Sequence, residues 1–224
     1  MDTPRLPNST QRLAEIGRTG SGKTVAGVYH LSRKDLREEL WAIIDYKSSP
    51  NDLINNIDNA RHIELSWSPP RRQSHGSGGL VIVHPLPSDA KQVNDFLWRI
   101  WERGNVGVFV DEGYMLGNME AFEALLTQGR SMHIPMIVLT QRPSWVSRFV
   151  FSEADFFQVF DLTDNRDWIT VESFMPAIEK FRSLPEHESW YYDVAKKKMF
   201  QFAPVPEPKE ILSAINSQLF RRTI

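Results

Sequence analysis

Gly17 and Gly22 stand five residues apart with Lys23 and Thr24 directly after the second, and this spacing restricts the chain more than any other feature in it. The run Gly17-Arg18-Thr19-Gly20-Ser21-Gly22-Lys23-Thr24 has the form G-x-x-x-x-G-K-[ST]. Glycines let the backbone curl through conformations closed to other residues, so that successive N–H groups turn inward on one point. That arrangement suits the phosphate chain of a nucleoside triphosphate such as ATP. Gly17, Thr19, Gly20, Ser21, Gly22 and Val25 line the cradle, Lys23 adds a point charge, and the Thr24 hydroxyl is placed to coordinate Mg²⁺. From average residue usage, four fixed positions match by chance in roughly one chain of this length in a hundred. The flanks strengthen the match: residues 13–16 read as a short strand feeding the loop and 25–31 as a helix leaving it, the order the motif requires.

At 224 residues the chain suits one α/β domain with a continuous core that needs no staples. It has no cysteine, which excludes a disulfide framework and thiolate metal sites and fits a reducing compartment. Met1 is followed by polar, proline-containing sequence instead of a secretory signal, and no run approaches the ~20 apolar residues that cross a bilayer. The expectation is a soluble cytoplasmic protein, not an integral membrane protein. A net charge of −2 gives no general attraction to nucleic acid, so any DNA contact must come from local basic loops or from charges gathered in an oligomer.

Residues 1–10 read as a flexible arm, 11–202 as the nucleotide-binding domain, and 203–224 as a proline-rich linker with a C-terminal helix. Within the domain, apolar runs at 41–45, 80–84, 106–110 and 136–140 read as strands buried on both faces. A short strand is expected at 62–65 and an edge strand at 156–162. Helices are expected at 52–59, 90–103, 119–131 and 164–174, the second of them amphipathic through Val93, Phe96, Leu97, Ile100 and Trp101. Residues 66–79 are irregular and carry Arg71 and Arg72. Residues 190–193 and 199–202 flank Lys196-Lys197-Lys198 as a hairpin with a basic turn. Strands alternating with helices predict a mostly parallel α/β sheet covered on both faces, with a small C-terminal hairpin and terminal helix; taken with the P-loop wording, this resembles the P-loop NTPases of the ASCE (RecA-like) type.

Val108-Phe109-Val110-Asp111-Glu112 is an apolar strand ending in two acids, the Walker B pattern. Asp111 would hold Mg²⁺ through its water shell, and Glu112 could accept a proton from the attacking water. Two acids capping a strand are common in isolation; beside a P-loop they read as the second half of its site. An extra strand between the motifs and a Glu directly after the Asp favour a hydrolysing motor over a kinase or a switch. Gln141, ending the strand 136–140, is placed to sense the γ-phosphate or orient water.

Three stretches together resemble the FtsK/HerA superfamily of ring-forming, DNA-translocating ATPases. They are the P-loop wording, Ile44-Asp45-Tyr46-Lys47, and Gly129-Arg130-Ser131 followed by Leu139-Thr140-Gln141-Arg142-Pro143-Ser144. The similarity spans roughly residues 13–145. The resemblance implies a homo-oligomer, normally a hexamer, whose active site is completed by an arginine of the neighbouring subunit. Arg130 is the first choice for that residue acting in trans and Arg142 the second, with Asp45 and Lys47 as minor candidates or a structural pair. A compact core without appendages is similar to the genome-packaging ATPases of tailless, membrane-containing double-stranded DNA viruses of the tectivirus type. That likeness implies double-stranded DNA as a partner, a capsid or viral membrane vertex protein as a docking site, and work in the host cytoplasm or on the virion. Arg71, Arg72, Lys196, Lys197 and Lys198 are the candidate DNA contacts, because lysine and arginine on phosphates bind without regard to sequence. Two rivals stand beside this reading: a P-loop phosphotransferase acting on a small metabolite, with residues 66–79 as its lid, and a non-translocating, ATP-dependent phage assembly factor.

Overall fold

Short runs of Val, Ile, Leu, Phe and Ala, with no polar alternation, can be satisfied only where a strand is covered on both faces. The computed structural model, which describes residues 3–50, 52–70, 78–176, 178 and 184–220, places them in this way. The strands are β1 (Arg12–Ile16), β2 (Leu40–Asp45), β3 (Arg61–His62), β4 (Gly79–Val83), β5 (Val106–Asp111), β6 (Met136–Thr140), β7 (Phe156–Val159), β8 (Ser189–Asp193) and β9 (Lys198–Phe202). Among the described residues they form one sheet in the order β3-β4-β2-β5-β6-β1-β7-β8-β9. The strands from β3 to β7 in that order run parallel, and β8 and β9 add an antiparallel hairpin.

The helices are α1 (Lys23–Ser32), α2 (Ala90–Arg103), α3 (Glu120–Gln128), α4 (Phe149–Ser152), α5 (Asn165–Glu172) and α6 (Pro208–Leu219). Because side chains alternate along a strand, each strand feeds two cores. Ala42, Ile44, Val108 and Val110 face one core with Phe96 and Ile100 of α2 and Phe122 and Leu125 of α3. Ile43, Phe109, Ile137 and Leu139 face the other with Val28 and Leu31 of α1 and Ile211 and Ile215 of α6. The mostly parallel, two-sided α/β sheet expected from sequence is the observed one.

Several local expectations change. The strand at 156–162 is internal: β7 lies between β1 and β8, because the hairpin extends the sheet past it. The helix expected at 52–59 shrinks to a single 3₁₀ turn, Ile54–Asn56, and the strand at 62–65 to the two residues of β3. Residues 3–10 are held against the body instead of hanging free. Arg5 donates two 2.9 Å hydrogen bonds to the buried carboxylate of Asp193, and the Tyr191 hydroxyl donates to the Arg5 carbonyl at 2.8 Å. A carboxylate buried beside the hairpin turn requires a counter-charge, and the arm supplies it. Finally, the strand that separates β1 from β5 in space is β6, whereas β4, which lies between the two motifs in sequence, sits outside β2.

Candidate active site

The parallel strands all finish at one end of the sheet, so the residues that follow them converge there. The loop after β1 is pinned by its neighbours: the Gly17 N–H donates to the Thr140 carbonyl (3.2 Å), and that of Arg18 to the Asp161 carbonyl (3.0 Å). A Cβ on Gly17 would lie 2.6 Å from Ser21 Oγ and 2.7 Å from Phe160 Cβ, which explains glycine at the entrance. Gly20 (φ 78°) and Gly22 (φ 92°) take the left-handed conformation that turns the loop's amides inward. Gly22 also caps α1 without a side-chain hydrogen bond, leaving the helix's first N–H groups for a ligand. Ser21 Oγ is buried and has no hydrogen-bond partner among the described residues, as expected of a group that serves a phosphate oxygen.

Asp111 ends β5 fully buried, and its carboxylate lies 3.9 Å from Lys23 Nζ. Glu112 follows in the left-handed conformation (φ 63°, ψ 57°), unusual for a residue with a side chain. The Lys47 ammonium joins these groups. It lies 3.0 Å from Asp111 Oδ2 and 2.9 Å from Glu112 Oε1, and donates to the Thr24 hydroxyl at 3.4 Å. Burial lowers the affinity of Lys47 for its proton, but Asp111 and Glu112 more than restore it, so its pKa lies above the ordinary lysine value. Burial pushes Lys23 the other way, below its ordinary value, with Asp111 opposing. Asp45, at the end of β2, stands beside Asp111 in register. It accepts from the Lys47 N–H (2.9 Å) and lies 3.2 Å from His84 Nδ1. Asp45 and Lys47 are thus tied through backbone, while the Lys47 ammonium serves Asp111 and Glu112. Asp45, Asp52 and Asp111 bring carboxylate oxygens within 4.8 Å of one another. Burial, then the charge of Asp111, raises the Asp52 pKa.

Thr24, Asp111 and their acidic neighbours offer the hard oxygen donors that suit Mg²⁺, which takes one or two protein oxygens and completes its shell with phosphate and water. Gln141, at the end of β6, is hydrogen-bonded to the Thr19 hydroxyl of the P-loop. The order β5-β6-β1 puts this amide between the two halves of the site.

The candidate arginines lie at opposite ends of the sheet. Arg142 stays near its own P-loop, 3.6 Å from Asp167 and 3.8 Å from Asp164, over the Trp145 ring. Arg130 pairs with Asp155 at 2.6 Å, and the Arg12 N–H donates to the same carboxylate. This is the starting end of β1 and β7, one strand length (~16 Å) from the chain's own P-loop. Lys196, Lys197 and Lys198 are exposed on the β8–β9 turn, at that same end, because β8 runs antiparallel to β7. Arg71 and Arg72 lie outside the described residues. Sequence reasoning gave Lys47 only a minor place and missed Asp52 and His84. The available signal was that β2, like β5, is an apolar run ending on aspartate.

No protein-family model matches the chain. The DNA packaging ATPase P9 of Enterobacteria phage PRD1 is 44% identical over 222 residues, covering 94% of each chain. Among solved structures, the genome packaging NTPase B204 of Sulfolobus turreted icosahedral virus 2, in complex with AMPPCP, superposes with a TM-score of 0.64 at 17% identity, covering 89% of this chain and all of that one. VirB4 of Thermoanaerobacter pseudethanolicus gives a TM-score of 0.68 at 10% identity, covering 89% of this chain and 90% of its own. The two structural matches establish the fold. Identity of this extent with P9, over nearly the whole of both chains, establishes the lineage: the chain belongs to the DNA packaging ATPase family of the tectiviral P9 type.

Proposed function

We propose that this chain hydrolyses ATP to drive double-stranded DNA into a viral capsid, working as a homo-oligomeric ring, most simply a hexamer, docked at a capsid or membrane vertex in the infected cell. The observation that carries the reading is the convergence of Lys23, Thr24, Asp111 and Glu112, in which Lys23 lies near Asp111 and the Lys47 ammonium reaches the other three, with Gln141 contributed by the strand between the two halves. Lys23 and the loop amides hold the phosphates. Thr24 and Asp111 would hold Mg²⁺, which would supply charge neutralisation to the bound phosphates. Glu112 takes a proton from the attacking water, and Gln141 reports the γ-phosphate to the Thr19 side of the loop.

Arg130 is assigned to the site of the neighbouring subunit. Its distance from its own P-loop and its half-exposed side chain support that role. Trp145, Phe149 and Ile169 leave apolar side chains exposed on the segment that follows Arg142 and on the helix packed against it, which suits a subunit contact. Lys196, Lys197 and Lys198 supply an exposed basic turn for phosphate contacts with DNA.

The test is ATP turnover with and without duplex DNA, beside ATP binding, in the wild type and Glu112→Gln. Duplex DNA should accelerate the wild type, and Glu112→Gln should bind ATP yet lose roughly 10²–10⁴ in turnover. A folded Glu112→Gln protein with unchanged turnover would remove Glu112 from the role of base. Turnover in the wild type that ignores duplex DNA would argue against translocation.

A further inference from the structure

Arg12, the first residue of β1, is 3% exposed, and its Nε and Nη2 atoms have no hydrogen-bond partner among the described residues. These two N–H groups lie side by side and form a fork for both oxygens of one anion. The same two atoms of Arg5 hold both oxygens of Asp193, each at 2.9 Å, so the chain itself shows what such a fork is shaped to grip. A buried cation without a partner is costly. Burial, and after it the charge of Arg130, weakens the hold of Arg12 on its proton.

A suitable carboxylate is close by, and it is taken. Asp155 accepts from the Arg12 N–H through Oδ2 at 2.9 Å and from Arg130 Nη2 through Oδ1 at 2.6 Å. The Asp155 N–H donates to the Arg12 carbonyl at 3.0 Å, and the Asp155 carbonyl accepts from the Val194 N–H at 3.1 Å. Its backbone is therefore fixed on both sides, and only its side chain is free to turn. Arg12, Arg130 and Asp155 line one cavity of about 390 Å³, which leaves room for that turn. Glu153, the other acid of the lining, caps the end of α4 and is partly solvated. Two guanidiniums thus share one mostly buried carboxylate, and the more exposed of the two holds it.

We propose that Arg12 is the stand-in partner of Asp155: when Arg130 leaves for the neighbouring subunit's nucleotide, the Asp155 carboxylate turns into the Arg12 fork. The inference rests on Arg130 acting in trans. Asp155 is 16% exposed, so its charge left alone would draw Arg130 back to its own chain. With Arg12 at hand, the carboxylate exchanges one guanidinium for another and never stands unpaired. The exchange also gives the buried cation the partner that it lacks while Arg130 is latched. Arg12 touches no nucleotide in this scheme. It is a positioning residue, acting through Asp155 on the population of released Arg130.

The test measures kcat and KM for ATP in the presence of duplex DNA, with thermal unfolding alongside, for the wild type, Arg12→Met, Asp155→Asn and the double variant. Asparagine keeps an acceptor for the Arg12 N–H and removes the charge that holds Arg130. Arg12→Met should unfold at or above the wild-type temperature, because it removes a buried cation that has no acceptor. It should lower kcat about tenfold or more while KM changes by less than about twofold, since the chain's own nucleotide site lies at the other end of the sheet. In the Asp155→Asn background the same substitution should change kcat by less than about twofold, because no carboxylate is left to receive. An unchanged kcat in Arg12→Met, an equal loss in both backgrounds, or a lower unfolding temperature would overturn the proposal. Arg130→Ala in the same assay separates it from the reading beneath. Full turnover in Arg130→Ala would remove the role in trans and the stand-in with it, whereas loss in Arg130→Ala beside full turnover in Arg12→Met would remove the stand-in alone.

Discussion

Lys47→Met tests whether one ammonium neutralises the acidic half of the site. Methionine keeps the length and apolar stem of the side chain, so the change removes charge more than packing. In the wild type the ammonium sits 3.0 Å from Asp111 and 2.9 Å from Glu112, whose side chains are 0% and 5% exposed. Removing one member of a fully buried pair costs about 3–5 kcal/mol, because the other charge is left buried. Lys47 itself is 34% exposed, and water screens part of that loss, which brings the expectation to roughly 2–3 kcal/mol. For a chain of this size that corresponds to a fall in Tm of roughly 4–12 °C. The assay is urea and thermal unfolding of nucleotide-free protein in EDTA, then with Mg²⁺ alone. Mg²⁺ should restore part of the loss in the variant, since Asp111, Asp45 and Asp52 present hard oxygen donors, and should change the wild type little. Lys91→Met is the control, since its partner Asp95 is a surface residue one helical turn away, and it should stay within about 0.5 kcal/mol of wild type. A Lys47→Met protein as stable as that control, with no response to Mg²⁺, would refute the reasoning.

Burial holds the His30 imidazole neutral, its pKa lowered to about 4. The unfolded chain binds that proton below about 6.5, so His30 contributes stability above that pH and loses up to ~3 kcal/mol as pH falls toward 4. Glu15, 3.8 Å away, runs the opposite way: burial raises its pKa well above the usual range, so its contribution is present at low pH and lost as pH rises. The measurement is therefore the difference between wild type and His30→Leu in urea unfolding at several pH values, which should shift in favour of the variant below pH ~6.5. A constant difference would refute a neutral His30. Arg130→Ala should cost about 1 kcal/mol or less in stability, because its pair with Asp155 is partly exposed, yet lower turnover by roughly 10³–10⁵. Mixing Arg130→Ala with Lys23→Ala subunits should recover part of the ATPase activity. Recovery at no mixing ratio would count against a shared site.

The elements legible in the sequence were those whose signal is local. β2, β5 and β6 are unbroken apolar runs, and α2 places Val93, Phe96, Leu97 and Ile100 on one buried face. The P-loop is a local device too, since its glycines set its shape wherever the strand before it lies. What misled was sequence next to irregular or solvent-facing segments. Residues 52–59 carry Leu53, Ile54 and Ile57 at helical spacing, but Asn55 donates to the Ser49 carbonyl and Asn56 to that of Asp52, so side chains compete with helical backbone bonds. β7 gave no sign of being internal, because an edge strand and a central strand of four mostly apolar residues read alike until a hairpin is seen to pair beyond it.

The sequence by itself determined the phosphate cradle, the acid-ended strand and the parallel α/β class, because each depends on residues within a turn or a strand of one another. Only the tertiary structure decided that β6 stands between β1 and β5, and so that Gln141 reaches Thr19, 122 residues away. It decided equally that Lys47 crosses 64 residues to Asp111, and that Arg130 points away from its own nucleotide site. Strand order and the pairing of charges are set by which faces the whole sheet can bury at once, and no stretch of the chain read alone carries that information.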